Sequence, residues 1–109
     1  MGRFAVIDIG SNTIRLVVYE NRERAPYVIF NEKVFCGLGL GVAESGKMIR
    51  RSIVKATRTL SRFSILLKKM DVKDYRAIAT SAVRDALNGR QFVADVKRET
   101  GLDIKIVSG

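Results

Sequence analysis

The sequence contains no histidine, which removes histidine-based catalytic triads and the usual zinc sites. A single cysteine, Cys36, excludes a disulfide within the chain. Next to Phe35, it reads as a small buried side chain and not as a reactive thiol. No apolar run approaches the roughly 20 residues that a membrane-spanning helix needs, so no membrane is expected as partner. No signal-peptide cleavage pattern follows the N-terminus, so a cytoplasmic location is expected. Acidic residues are scarce: 11 stand against 20 Lys and Arg, giving a net charge of +9. That balance points to an anionic partner such as nucleic acid, lipid, nucleotide or a phosphate polymer, or else to a plain basic surface.

What remains is the material of one globular domain. The 109 residues are 47% apolar and 28% charged, enough for a core and too apolar for disorder.

The most informative stretch is Phe4 to Tyr19. Phe4–Ile9 is apolar except for Asp8, and Ile14–Tyr19 is apolar except for Arg15. Between them lie Gly10, Ser11, Asn12 and Thr13, so the stretch reads as strand, tight turn, strand. A hairpin has no need of Asp8 at the end of an apolar strand, because a lone buried carboxylate is costly. A carboxylate suited to Mg²⁺ beside a turn rich in donors reads as a phosphate site. The alternative is a hairpin whose Asp8 and Asn12 cap their own turn.

Along the rest of the chain, Glu20–Ala25 is a polar connection that Pro26 ends. Tyr27–Phe30 and Lys33–Phe35 form a third strand interrupted at Asn31-Glu32, completing an antiparallel meander. Gly41–Lys47 has the spacing G-x-x-x-x-G-K of a nucleotide-binding loop. Met48 stands where Ser or Thr would coordinate Mg²⁺, so a glycine-rich loop leading to a helix is favoured. Ser45 is the expected N-cap of a helix running to about Met70. Its apolar stripe is Ile49, Ile53, Ala56, Leu60, Phe63 and Leu67, and Arg51, Lys55, Arg58 and Arg62 share the opposite, basic face. That face is either a solvated surface or a rail for a polyanion.

Tyr75–Thr80 then reads as a strand, Ala82–Leu87 and Arg90–Thr100 as helices parted by Asn88-Gly89, and Leu102–Val107 as a last strand. Gly101 is a natural helix terminator. Alternating helix and strand make the last two strands parallel to strand 1. Thr80, Ser81 and Arg84 stand where a strand enters a helix and can hold an anion, or can serve as an ordinary cap and a surface Arg.

The chain therefore reads as α/β, a three-stranded antiparallel meander followed by α-β-α-β. That order, with Asp8-x-Gly10-Ser11-Asn12-Thr13 in the first turn, resembles the ribonuclease H-like (actin-like ATPase) half of the actin, sugar-kinase and heat-shock-chaperone superfamily. More narrowly, the chain resembles the bacterial exopolyphosphatase / guanosine pentaphosphate phosphatase family. Ile7–Leu16, Gly37–Gly41, Ala79–Asn88, and Thr100-Gly101 followed by Ile106–Gly109 carry the match. The resemblance implies a Mg²⁺-dependent hydrolase that releases orthophosphate from inorganic polyphosphate or guanosine pentaphosphate. It implies Asp8 near the metal, Gly10, Ser11, Asn12 and Thr13 in the first phosphate loop, and Arg15 facing the substrate. Thr80, Ser81 and Arg84 would line the cleft.

In that family a glutamate-rich segment carrying the catalytic base follows the final Ser-Gly, and a second lobe follows it. The resemblance thus implies that residues 1–109 are an N-terminal lobe without a base of its own, inactive alone. The exposed interlobe face of such a lobe can self-associate into a homodimer. Two other readings stand beside it. One is a module that grips polyphosphate or RNA through helix 45–70. The lack of aromatic residues on that face argues against single-stranded RNA. The other is a nucleotide-kinase-like lobe.

Overall fold

Alternation decides the first two strands. The computed structural model describes residues 2–22 and 25–108. In β1 (Arg3–Ile9) Ala5, Ile7 and Ile9 are buried, which sends Phe4, Val6 and Asp8 to the other face. β2 (Thr13–Arg22) pairs antiparallel with β1 and buries Ile14, Leu16 and Val18 against the same core.

β3 (Ala25–Phe35) runs antiparallel to β2 without the gap expected at Asn31-Glu32. Glu32 lies opposite Leu16, on the core side, yet its charge is accommodated by the Arg62 guanidinium at 2.8 and 2.7 Å. The register does shift elsewhere: Val18 faces Phe30 and Tyr19 faces Val28, leaving Ile29 as the extra residue of a bulge. The polar connection is shorter than the sequence suggested. Glu20 to Arg22 belong to β2 and Pro26 to β3, an edge strand that tolerates proline, while Glu23 and Arg24 lie outside the described residues.

The helix expected from Ser45 is two helices. α1 (Val42–Ser45) is a single turn, closed by Gly46 at φ 77° with its N–H bonded to the Val42 carbonyl. α2 (Arg50–Lys69) starts separately, with Ile49 at its N-cap and no side-chain cap. The Ser45 hydroxyl instead donates to the Gly41 carbonyl at 2.9 Å. The Gly41–Lys47 stretch therefore wraps α1 and is not the N-terminal loop of a long helix. The apolar stripe holds: Ala56, Leu60, Phe63 and Leu67 are buried and Ile53 packs beside them.

β4 (Asp74–Ala79), α3 (Ser81–Asp85), α4 (Gly89–Thr100) and β5 (Ile104–Ile106) follow, each within two residues of the expected bounds. The sheet order is β3-β2-β1-β4-β5, with β4 parallel to β1 and β5 parallel to β4. Ala77 and Ala79 of β4 lie beside Ile7 and Ile9, and the buried residues of α2, α3 and α4 join the same core. Cys36 is buried in it, as expected. No helix of the described residues is long and apolar enough to cross a membrane.

Candidate functional site

The β1–β2 turn holds itself closed by backbone alone. The Gly10 N–H donates to the Thr13 carbonyl at 3.0 Å. Among the described residues, neither the Asp8 carboxylate nor the Asn12 amide makes a hydrogen bond to the turn, so self-capping does not explain them. Gly10 is not in the left-handed region, and a Cβ there would meet the Thr13 carbonyl at 3.4 Å, an ordinary contact.

Two other segments close on this turn. The Thr80 N–H donates to the Ile9 carbonyl at 3.2 Å, pinning the end of β4 to the end of β1. Just beyond, the Ser11 and Ser81 hydroxyls meet at 3.1 Å. The Thr80 side chain makes no capping bond to α3, so an ordinary N-cap does not account for it. From the other side, the Cys36 and Gly37 N–H groups both donate to the Asn12 carbonyl at 2.9 Å. The Gly39 N–H donates to the Ser11 carbonyl at 2.8 Å. Here glycine eases a close approach: a Cβ on Gly39 would lie 3.0 Å from the Ser11 Cβ, so the turn would have to give by a few tenths of an ångström.

Three stretches distant in sequence thus enclose one open groove of about 590 Å³, lined by Ser11, Asn12, Gly39, Leu40, Ser81 and Asp85 among others. Its far wall, α1, is fixed from a distance. The Asn88 side chain accepts from the Met48 N–H at 3.0 Å and donates to the Met48 carbonyl at 3.1 Å, while the Leu87 N–H donates to the Gly46 carbonyl at 2.7 Å. The sequence showed Asn88 in a helix interruption at the end of the run Ala79–Asn88 but not its partner, which is 40 residues away.

The remaining candidates lie around the groove and not in it. Asp8 is exposed on the sheet face away from the helices, with Arg15 opposite it on β2 and Ile78 beside it on β4. Extending that row places Lys33 next to Arg15 and Lys105 next to Ile78. The lone carboxylate therefore sits in a row otherwise positive or neutral, a feature visible only once the register is known. Arg84 turns toward β5: its Nε donates to Asp85 Oδ1 at 3.1 Å and its Nη1 to the Val107 carbonyl at 3.4 Å. Thr13 opens β2 opposite Phe35.

Comparison with known proteins finds both sequence and structural relatives. Residues 17–109 match the Ppx/GppA phosphatase family. Exopolyphosphatase 1 of Mycobacterium tuberculosis is 32% identical over 108 residues, covering 98% of this chain and 31% of that protein. A guanosine-5'-triphosphate,3'-diphosphate pyrophosphatase of Vibrio atlanticus is 24% identical over 106 residues, covering 97% of this chain and 21% of its own. A crystal structure of the Aquifex aeolicus Ppx/GppA family member superposes with a TM-score of 0.96 at 31% identity, over 98% of this chain and 35% of that one. The chain thus spans a third or less of the length of these curated relatives. With the family match, the shared five-stranded sheet and the convergence of Ser11, Gly39 and Ser81 all in place, the chain belongs to the Ppx/GppA phosphatase family.

Proposed function

We propose that this chain is the phosphate-gripping lobe of a bacterial, cytoplasmic hydrolase that releases terminal orthophosphate from inorganic polyphosphate or guanosine pentaphosphate. The observation that carries this reading is the contact of Ser11 and Ser81 at 3.1 Å, because it unites the first turn with the second motif. Both hydroxyls line the groove with the turn at Asn12 and can donate to phosphate oxygens there. Gly10 leaves the turn backbone open to close approach by the anion. Arg15 adds positive charge at the same end of the sheet. Arg84 is tied to Asp85 and Val107, and grips substrate after exchanging the exposed Asp85 contact for a phosphate, the stronger bidentate partner of a guanidinium.

Asp8 fits a Mg²⁺ site: it is an exposed carboxylate at a strand end, with no ion pair among the described residues, and Mg²⁺ is commonly held by one or two carboxylates, waters and substrate phosphate. When bound there, the ion would neutralise phosphate charge and align water. No three His, Cys, Asp or Glu side chains converge among the described residues, consistent with a site that the substrate itself completes.

The base is assigned to the glutamate-rich segment that follows the final Ser-Gly in the family, and the opposite wall of the cleft to the second lobe after it. The 109-residue chain is accordingly inactive by itself and binds without turnover. The test is phosphate release from long polyphosphate, guanosine pentaphosphate and ATP, by the longer enzyme and by this chain. Release from polyphosphate or guanosine pentaphosphate, abolished by Asp8→Ala and reduced at least tenfold by Ser11→Ala/Ser81→Ala, is the expected result. Release by the 109-residue chain would refute the division of labour. Preference for ATP would replace the reading with a kinase-like one.

A further inference from the structure

The exposed edge of α2 holds cations without ion-pair partners among the described residues. Arg50, Arg51, Lys55 and Arg58, with Val54, line an open groove of about 580 Å³. Among the described residues none of these four makes an ion pair. One turn further on, Arg62 does pair, with Glu32. The difference is informative because the unpaired arrangement costs stability. Arg51 and Lys55 are four residues apart, and Lys55 and Arg58 three, spacings at which like charges on a helix repel. Arg50 and Arg51 also stand in the first turn, where no acid is present and the helix dipole is already positive.

We infer that this groove is a second binding surface for inorganic polyphosphate, separate from the Ser11–Ser81 site. The inference rests on the proposed function for the identity of the ligand. Its chemistry is that of the side chains: guanidinium and ammonium groups are donors only. A phosphate chain offers acceptors only, so each contact pairs. Nucleobase edges carry donors as well as acceptors and would leave some unmatched. One exposed ring, Phe35, lies by the groove, but Lys55 Nζ covers it at 5.8 Å. A stacking track for successive bases needs more. From Arg51 to Arg58 the helix rises about 10 Å, long enough to engage several phosphates of one chain. The helix that carries the groove is tied to the first turn on its buried side. Ser52, next to Arg51, donates to the Gly37 carbonyl at 2.8 Å, and the Gly37 N–H donates to the Asn12 carbonyl. A polymer held along α2 is thereby kept close to the turn that grips its end.

The experiment measures binding of long-chain inorganic polyphosphate to the 109-residue chain across a salt series. Three double variants are compared: Arg51→Glu/Lys55→Glu, Lys73→Glu/Arg90→Glu as an equal change of net charge elsewhere, and Ser11→Ala/Ser81→Ala. Circular dichroism and thermal melting establish that each is folded. The α2 variant is expected to lose at least tenfold in affinity at about 0.1 M salt, with a log–log salt slope shallower by about 2. The Lys73/Arg90 variant should lose less than threefold, and the serine variant, which removes only neutral donors at the other site, should leave the salt slope unchanged. Equal losses in the two charge variants would overturn the groove in favour of undirected attraction. Loss confined to the serine variant would overturn it and leave the proposed function standing. Tighter binding of single-stranded poly(U) than of polyphosphate at equal charge would overturn the choice of ligand. A longer enzyme that releases no phosphate, with the α2 effect intact, would fail the proposed function alone.

Discussion

Gly10 and Gly89 invite opposite judgements from sequence and from structure. Gly10 stands in a conspicuous motif, yet its backbone angle does not demand glycine and a Cβ would make only an ordinary contact. Gly89 stands in a plain helix interruption outside any binding motif, yet a Cβ there would overlap the Val83 carbonyl. One position is open around its Cα and the other is filled by the α3–α4 crossing. The lesson is that a glycine kept for packing and a glycine kept for a ligand are distinguished by the space around them and not by the motif.

Gly89→Ala is the largest test of that contrast. It should cost about 3 kcal/mol and lower the melting temperature by more than about 10 °C, because backbone and not a flexible side chain blocks the methyl. A melting temperature within about 2 °C of the parent would show that the crossing yields, and the contrast would collapse. Asn88→Ala comes next. It leaves the N–H and carbonyl of buried Met48 without partners and should cost about 2 kcal/mol in a denaturant titration. Gly10→Ala should change stability by less than about 0.5 kcal/mol. In the longer enzyme it should reduce phosphate release at least tenfold, since under the proposed function the methyl would stand in the path of the anion. A loss of stability equal to that at Gly89 would remove the distinction.

The smallest effect concerns Glu32. Its carboxyl is held below its ordinary value of 4.5, chiefly by the hydrogen bonds from Arg62. A depressed carboxylate stabilises the fold above its unfolded value, and that contribution is lost as pH falls below 4.5 through the folded value. Both partners are partly exposed, so Glu32→Gln should cost only about 0.5 kcal/mol at pH 7. The difference between the two proteins should vanish in strong acid. A difference constant from pH 7 to acid would show that the pair contributes nothing.

Local chemistry was legible in the sequence and distant partners were not. The strand–turn–strand of β1 and β2, the stripe on α2 and the helix end at Gly101 all follow from neighbours in the chain, and all were readable. The start of α2 was misread because Ser45 has the right chemistry for a cap. What displaces it is Gly46 at φ 77°, together with an amide from Asn88 that no local pattern announces. The continuity of β3 was hidden by Glu32, whose partner Arg62 lies 30 residues away. At the site, the motifs named Ser11 and Ser81 separately, and only the parallel pairing of β1 with β4 shows that they touch. Asp8 was singled out as a charge in an apolar strand; its company of Arg15, Lys33 and Lys105 needed the register of all five strands.

The position of β1 between β2 and β4 also sets an order in time. Its pairing with β2 closes across the short turn of Gly10, Ser11 and Asn12, whereas the contact that completes the groove joins residues 70 apart in sequence. Long closures are paid for in entropy before they return any contact, so folding is slow where they are required. Pulse-labelled amide exchange should therefore find the β1–β3 meander protected before β4. A nascent chain presents Ser11 and Asn12 early but gains Ser81 only with the final docking, so phosphate binding at the proposed site would report the last folding event.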